Sequence, residues 1–407
     1  MSMRHVSPAA TVLLEALEAL PDPAWCEGRC DVRSPLELAL PNDTRALDAP
    51  DLATWLMTHS EPAPFGDETG TRHDPTVRDT RRLTARAATR IVHFDPSPIL
   101  GEIEQALGTD CHLAAELLDV LVYVPGSRFL KHKDTPRSDE QLGTLVVELP
   151  HAHRGGALQL GDATIDWSCA EANPHAVRWV AMFGDVDHEI APLIDGMRIT
   201  AVYTLRHRTE RLPPPHRDRV DTIIDAAIAL YDESYGGDTL AIPCGRMIVA
   251  PRDSTTLLTH AVLRGADRLI ASAFERAGMT VSVRRCLVVT RDGTTPLPDA
   301  IPEAESYRRA VLLRRMIPDD VLNNANAISW DDNPHGHERV IAPVASFVDT
   351  DEKFPSYCTW LVRAQVTMFG KAMSYSHTGY FGNEHSEHYV YQFAMMLVDV
   401  PAEWDRT

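Results

Sequence analysis

Tyr123-Val-Pro-Gly-Ser-Arg-Phe-Leu-Lys-His-Lys-Asp-Thr135 is the stretch on which the reading of the fold turns. His132 and Asp134 are separated by one residue, so on an extended chain both side chains leave the same face. A second imidazole follows at His188, within Phe183-Gly-Asp-Val-Asp-His-Glu189, and Arg198 opens the run Arg198-Ile-Thr-Ala-Val-Tyr203. Two imidazoles and one carboxylate form a donor set for a single metal ion, with coordination positions left open. A guanidinium at Arg198 can hold a carboxylate by two parallel hydrogen bonds. Thr200 points the same way as Arg198 on a strand and can add a hydroxyl.

The surrounding pattern places these residues on strands. Leu118–Val124, Leu142–Leu149, Ala157–Leu160, Trp179–Phe183 and Ile199–Leu205 are short apolar or alternating runs broken by Gly, Pro, Asp and Asn. No helical segments alternate with them, which argues for an antiparallel sandwich or jelly roll. Upstream, the spacing predicts a helix over residues 7–20 and another from Asp51. It also predicts a polar loop over 60–80, a solvated Arg-rich face up to Arg90, and a helical stretch from Pro96 to Ala115 whose stripe continues to Leu113 and Leu117. Residues 206–219, basic and rich in proline, read as a linker.

Beyond the linker the expected elements are a helix over 220–231, a strand over 239–243 and a long helix over 257–277 with Gly278 as its stop. A strand over 281–290, a helical region over 303–326, a polar loop over 327–356 and strands over 359–366 and 389–400 follow. The expected class is therefore α+β. A double-stranded β-helix (jelly-roll, cupin-like) core over 96–208 lies within an N-terminal unit of residues 1–210, supported by flanking helices. An α+β C-terminal half covers 211–407.

Composition bounds the function. The 407 residues are 44% hydrophobic and 24% charged, as in soluble globular proteins. A net charge of -19 disfavours a nucleic-acid partner. Seven cysteines without repeated spacing argue against a disulfide framework, and the close pair Cys26 and Cys30 lacks a second pair for zinc. No apolar run is long enough to span a bilayer, so no membrane partner is expected and the cytoplasm is the expected location.

The motif resembles that of the 2-oxoglutarate/Fe(II)-dependent oxygenase superfamily, in its prolyl 4-hydroxylase-like branch. The matching residues are Tyr123, Gly126, His132, Asp134 and Thr135, then the Gly155-Gly156 turn, then His188, Pro192, Gly196 and Arg198. The resemblance implies Fe(II) held by His132, Asp134 and His188, with 2-oxoglutarate and O2 as cosubstrates. It places the distal carboxylate of 2-oxoglutarate on Arg198 and nominates Tyr123, beside Thr200, near the cosubstrate. The implied reaction is hydroxylation of a C–H bond in a protein side chain or small amino-acid-like substrate, with release of succinate and CO2. Two other readings are a nucleic-acid dealkylating oxygenase, against which the charge speaks, and a non-enzymatic binding or scaffold protein, against which the intact triad and arginine speak. Homo-oligomers are compatible with either.

Other residues receive blander expectations. Lys133 and Arg137 read as solvated, Trp167 and Trp179 as core, and His151 and His153 as exposed in a turn. His335 and His337 fall in a polar loop, and His385 and His388 lack a zinc-peptidase pattern. Three further segments, Ala63-Pro-Phe-Gly66, Leu263-Arg-Gly-Ala-Asp267 and Tyr380-Phe-Gly-Asn-Glu384, are similar to segments of larger microbial members of the group.

Overall fold

A computed structural model describes residues 8–67, 70–134, 141–213, 216–233, 239–246, 262–291, 358–360, 369–378 and 385–400. The chain divides into two compact units, Asp22–Pro215 and a second made of Met1–Pro21 with His216–Thr407.

In the first unit the strands that build the two main sheets are, in chain order, β1 Trp25–Asp31, β2 Glu61–Pro62, β3 Arg78–Asp79, β4 Arg81–Thr84, β5 Cys111–Tyr123 and β6 Arg128–His132. They continue with β7 Gln141–Leu149, β8 Leu158–Leu160, β9 Ala163–Ile165, β10 Ala176–Phe183, β11 His188–Ile190 and β12 Arg198–Arg211. One sheet runs β1-β10-β7-β12-β5-β4-β2 and the other β9-β8-β11-β6-β3. All neighbours in both are antiparallel, and from β5 to β12 successive strands alternate between the sheets except for the β8–β9 hairpin, a jelly-roll-like arrangement. Leu145, Val147, Trp179, Phe183, Ile199 and Ala201 lie fully buried in one cluster.

The apolar runs account for the central strands. β7 is buried along nearly its whole length, so it carries Leu and Val on both faces instead of alternating. Gly143 is required there by close approach. A Cβ at this position would stand 2.0 Å from the Met182 carbonyl oxygen of the neighbouring strand.

Four expectations for this unit change. The helix over 96–115 is shorter, Ser97–Ala106, and Leu113 and Leu117 belong to β5. Gly108, at φ 68°, ends the helix in the left-handed region. Leu113 and Leu117 continued the helical stripe only because a spacing of four also keeps one face of a strand. The Arg-rich segment is sheet rather than a merely solvated face: Arg81–Thr84 is β4, hydrogen-bonded to β5. Its guanidiniums are partnered, Arg81 Nε by Ser60 Oγ at 2.9 Å and Arg82 by Glu61 at 2.8 Å. Short strands also interrupt the expected loop over 60–80. At the other end, β12 extends to Arg211, into the expected linker.

The second unit takes the N-terminal helix. Leu13, Leu17 and Leu20 share a core with Val220, Ile223, Ala227 and Leu230 of the helix Arg217–Glu233. The helix Pro8–Glu18 therefore packs with the C-terminal elements instead of supporting the jelly roll, because its apolar stripe meets a second stripe of the same period. The sheet of this unit runs Thr280–Arg291, His385–Asp399, Thr239–Pro243, Cys358–Trp360, with Phe369–Thr378 also on His385–Asp399. The expected helix up to Ala277 is described as Gly265–Arg276, and Gly278 follows at φ 83°. In Leu263-Arg-Gly-Ala-Asp267, the buried Asp267 accepts hydrogen bonds from the backbone N–H of Gly245 and of Arg246, both at 3.0 Å, so its role is structural. Thr135, Arg137, the 303–326 and 327–356 regions with His335 and His337, the strand residues 361–366, and Tyr380–Glu384 lie outside the described residues. Among the described residues no helix is long and apolar enough to cross a membrane.

Gly143→Ala is expected to push β7 away from β10 and lower stability by roughly 1–3 kcal/mol, the usual range for overpacking. Thermal unfolding measured with and without added divalent metal checks this; an unchanged melting temperature contradicts it.

Candidate metal centre

The centre is made where β6 of one sheet leaves the turn that follows β5 of the other. Val124–Ser127 closes that turn, with Val124 N–H donating to Ser127 Oγ at 3.1 Å and Gly126 at φ 91°. Gly126 N–H then reaches the Leu193 carbonyl at 2.8 Å, tying the turn to the short strand Leu193–Gly196, which pairs with His153–Gly155. β6 next pairs with β11, and the register sets His132 directly opposite His188. Cross-strand neighbours on one face are close enough for their side chains to meet.

Asp134 completes the group. Ligand atoms of His132, Asp134 and His188 all lie within 4.8 Å of one another. His188 Nε2 is 3.7 Å from Asp134 Oδ1. The rings of His132 and His188 sit 4.1 Å apart between centroids, tilted by 54°, and His132 also stacks on Phe129 at 3.5 Å.

The hydrogen bonds around the three residues leave their inward atoms for a metal. His132 Nδ1 faces the Leu130 carbonyl at 2.8 Å, and His188 Nδ1 faces the Val186 carbonyl at 3.0 Å. With Nδ1–H donating in both rings, Nε2 carries the lone pair in both. Thr144 of β7 donates its hydroxyl to Asp134 Oδ2, which leaves Oδ1 on the side of His188. Burial, and then the nearby His188, push the His132 imidazole down to about 4, so the ring is neutral at pH 7 as a ligand must be. This two-imidazole, one-carboxylate set fits Fe(II) with open positions.

Arg198 lies at the start of β12, paired with Tyr123 at the end of β5. It is 1% exposed. Its Cζ stands 5.4 Å from the Tyr123 ring centroid and 5.7 Å from that of Trp167. Nε donates to Glu148 Oε2 at 3.4 Å. Glu148 also takes Arg178 Nη2 at 3.0 Å, and Arg178 donates to the Trp167 carbonyl. Burial pushes the Glu148 carboxyl upward, against the pull of Arg198 and Arg178. One carboxylate thus stands between two guanidiniums, and the group retains one positive charge. Thr200, also buried, sits opposite Glu148 in the β7–β12 register, on the same strand face as Arg198. Gly156 lets this arginine pass, since a Cβ there would be 3.2 Å from Arg198 Cδ, and its φ of 72° suits glycine.

His153 is not exposed in a turn, as the sequence suggested. It is 5% exposed, its backbone bridges to Cys169, and its Nε2 is 3.7 Å from Glu148 Oε1. The bridge draws the segment after Pro150 into the core, a long-range effect that local composition does not report. Trp167 and Trp179 are buried as expected, and Lys133 is exposed. Glu148 and Arg178 also line a half-open cavity of ≈ 170 Å³ with Arg29, His151, Cys169 and Asn173; the metal triad does not line it. Thr144 and Glu148, unmarked in the sequence, are the residues that orient the triad and the arginine. Only their place on β7, between β12 and β10, reveals them.

No family profile and no curated protein matches the chain. Among solved structures, the chain is similar to prolyl 4-hydroxylases and other 2-oxoglutarate/Fe(II) oxygenases. A Pseudomonas putida prolyl-4-hydroxylase is 17% identical over 49% of this chain and 99% of that one, with a TM-score of 0.26. A Trichoplax adhaerens prolyl hydroxylase, solved with a hypoxia-inducible-factor peptide fragment, is 12% identical over 49% of this chain and 89% of that one, with a TM-score of 0.28. The viral collagen prolyl hydroxylase of Paramecium bursaria Chlorella virus-1, solved with 2-oxoglutarate, is 16% identical over 32% and 81% respectively, with a TM-score of 0.23.

Thr144→Val removes the hydroxyl that holds Asp134 and keeps the side-chain volume. Divalent-metal affinity, measured by calorimetric titration of the metal-free protein, is expected to fall roughly 10- to 100-fold. Unchanged affinity would remove Thr144 from the account.

Proposed function

We propose that the chain is an Fe(II)- and 2-oxoglutarate-dependent dioxygenase that hydroxylates a C–H bond of a small amino-acid-like substrate or a protein side chain. The observation that carries this reading is the pairing of His132 with His188, with Asp134 beside them, in a unit that also buries Arg198 between Tyr123 and Trp167. The sheet order supports a double-stranded β-helix as the core. A cytoplasmic location fits the absence of disulfides at Cys26, Cys30, Cys111, Cys169 and Cys244 among the described residues.

In this reading His132 Nε2, His188 Nε2 and Asp134 Oδ1 hold the iron. Bound there, iron would supply the oxidising chemistry for hydroxylation of a C–H bond, with 2-oxoglutarate and O2 as cosubstrates and succinate and CO2 as coproducts. The chain's own part is positioning. The Leu130 and Val186 carbonyls fix both imidazoles in the tautomer that leaves Nε2 unprotonated. Thr144 fixes the carboxylate rotamer. Arg198 binds the distal carboxylate, with Thr200 as a hydroxyl donor and Tyr123 as a wall. Glu148 occupies the Nε of Arg198 and so sets which edge of the guanidinium remains for the cosubstrate. The buried rings of Tyr123 and Trp167 keep water from that charge pair, which strengthens it.

Iron-loaded protein supplied with 2-oxoglutarate and O2 is expected to form succinate. Asp134→Ala is expected to abolish this turnover. Arg198→Met should raise the 2-oxoglutarate Kd at least about tenfold, the loss of a charge-assisted hydrogen-bond pair. Succinate formation that survives Asp134→Ala, or 2-oxoglutarate binding indifferent to Arg198→Met, contradicts the proposal.

A further inference from the structure

Arg78 is a cation whose hydrogen-bonding capacity the first unit does not use up. It lies on β3, the strand beside β6 in the minor sheet, paired with Phe129. Its guanidinium stacks on the Phe129 ring, Cζ 4.4 Å from the centroid, and the His132 imidazole stacks on that same ring at 3.5 Å. One aromatic ring therefore connects this charge to a ligand of the metal centre. Asp119 and Asp134 are among the charged groups that act on it.

The donors of Arg78 are unevenly spent. Nη1 donates to the Pro64 carbonyl at 2.6 Å, so the backbone of the Ala63-Pro-Phe-Gly66 segment fixes the guanidinium over Phe129. Nε is buried and has no hydrogen-bond partner among the described residues. No carboxylate of the described residues forms an ion pair with Arg78. Nearby, Asp119 is paired with Arg82 at 3.7 Å, and Asp134 is engaged by Thr144 and the metal centre. A largely enclosed guanidinium with an idle donor is costly unless something supplies its acceptors. Burial lowers the preference of this group for its charged form, which a counter-ion would restore. The residue as a whole is nevertheless partly exposed.

We infer that Arg78 binds a carboxylate of the primary substrate, and that the substrate is an amino-acid-sized carboxylic acid. The Nε–Nη2 edge left by the Pro64 contact is the fork that takes a carboxylate side-on. A side-chain adjustment that opens Nε accompanies binding. The size follows from the spacing. A molecule that holds Arg78 at one end and presents a C–H bond at the triad bridges two groups that share the Phe129 ring, with Arg78 Cζ 4.4 Å and the His132 ring 3.5 Å from its centroid. Arg198 lies on β12 of the other sheet, so the two arginines serve different carboxylates: Arg198 that of 2-oxoglutarate, Arg78 that of the substrate. This inference rests on the oxygenase reading.

The test uses the full chain loaded with Zn(II) and 2-oxoglutarate, which cannot turn over. Saturation-transfer NMR is recorded against the free L-amino acids, their N-acetyl derivatives, and the matching compounds with the α-carboxylate replaced by carboxamide. At least one acid is expected to bind, and its amide to bind roughly tenfold or more weakly. Arg78→Met, which keeps an unbranched apolar side chain over Phe129, is expected to lose the acid by a similar factor. Arg78→Lys, which keeps the charge without the fork, should fall between the two. The 2-oxoglutarate Kd should stay the same in both variants, which also shows that they are folded. Absence of binding by any acid, equal binding of acid and amide, or full affinity in Arg78→Met overturns the inference. Failure of the wild-type protein to bind 2-oxoglutarate would instead overturn the oxygenase reading itself.

Discussion

The register of β6 against β11 is the constraint on which the site depends. Because side chains alternate with a period of two, a slip of one residue would turn His188 away from His132 and dissolve the donor set. The register is held from both ends. The Val124–Ser127 turn, anchored on Leu193, fixes where β6 begins. The Leu158–Ile190 and Leu160–His188 pairs fix β11 from its other side. The irregularity between Phe129 and His132 then lets Phe129 stack with His132 although the two are three residues apart.

The second constraint is electrostatic. Arg198 is nearly inaccessible, and a buried cation without a partner would destabilise the sheet strongly. Glu148 makes its burial tolerable but does not neutralise the group, since Arg178 shares the same carboxylate. What remains is a preformed positive site, walled by Tyr123 and Trp167, which an anionic cosubstrate would complete under the proposed function. His153, beside Glu148 and also buried, adds bulk to this cluster; burial lowers its affinity for a proton.

Much of this was legible in the sequence, for identifiable reasons. Leu142–Leu149, Trp179–Phe183 and Ile199–Leu205 are strand-like runs whose central position makes them apolar, so they announced themselves. His132, Asp134, His188 and Arg198 were visible because their chemistry is unusual together and their spacing is short or motif-like. Leu113 and Leu117 misled because a spacing of four suits a helix and a strand face alike. Arg81 and Arg82 looked like a solvated stretch because their partners, Ser60 and Glu61, lie outside any local window. Glu148, Thr144 and Arg78 were silent for the same reason. Each acquires its meaning from a neighbour on another strand, and neither composition nor periodicity reports such neighbours. The N-terminal helix was recognised as a helix, but its apolar stripe could not say which other stripe it would meet.

The measurement that bears most directly on the central claim is the metal dependence of 2-oxoglutarate binding without oxygen. Calorimetric titration of 2-oxoglutarate into the protein under anaerobic conditions would compare the Fe(II)-loaded form with the form stripped by a chelator. The account predicts tight binding in the loaded form and loss of most of that affinity in the stripped one, because one end of the cosubstrate needs the metal held by His132, Asp134 and His188. Equal affinity in the two forms, or no binding in either, would contradict it.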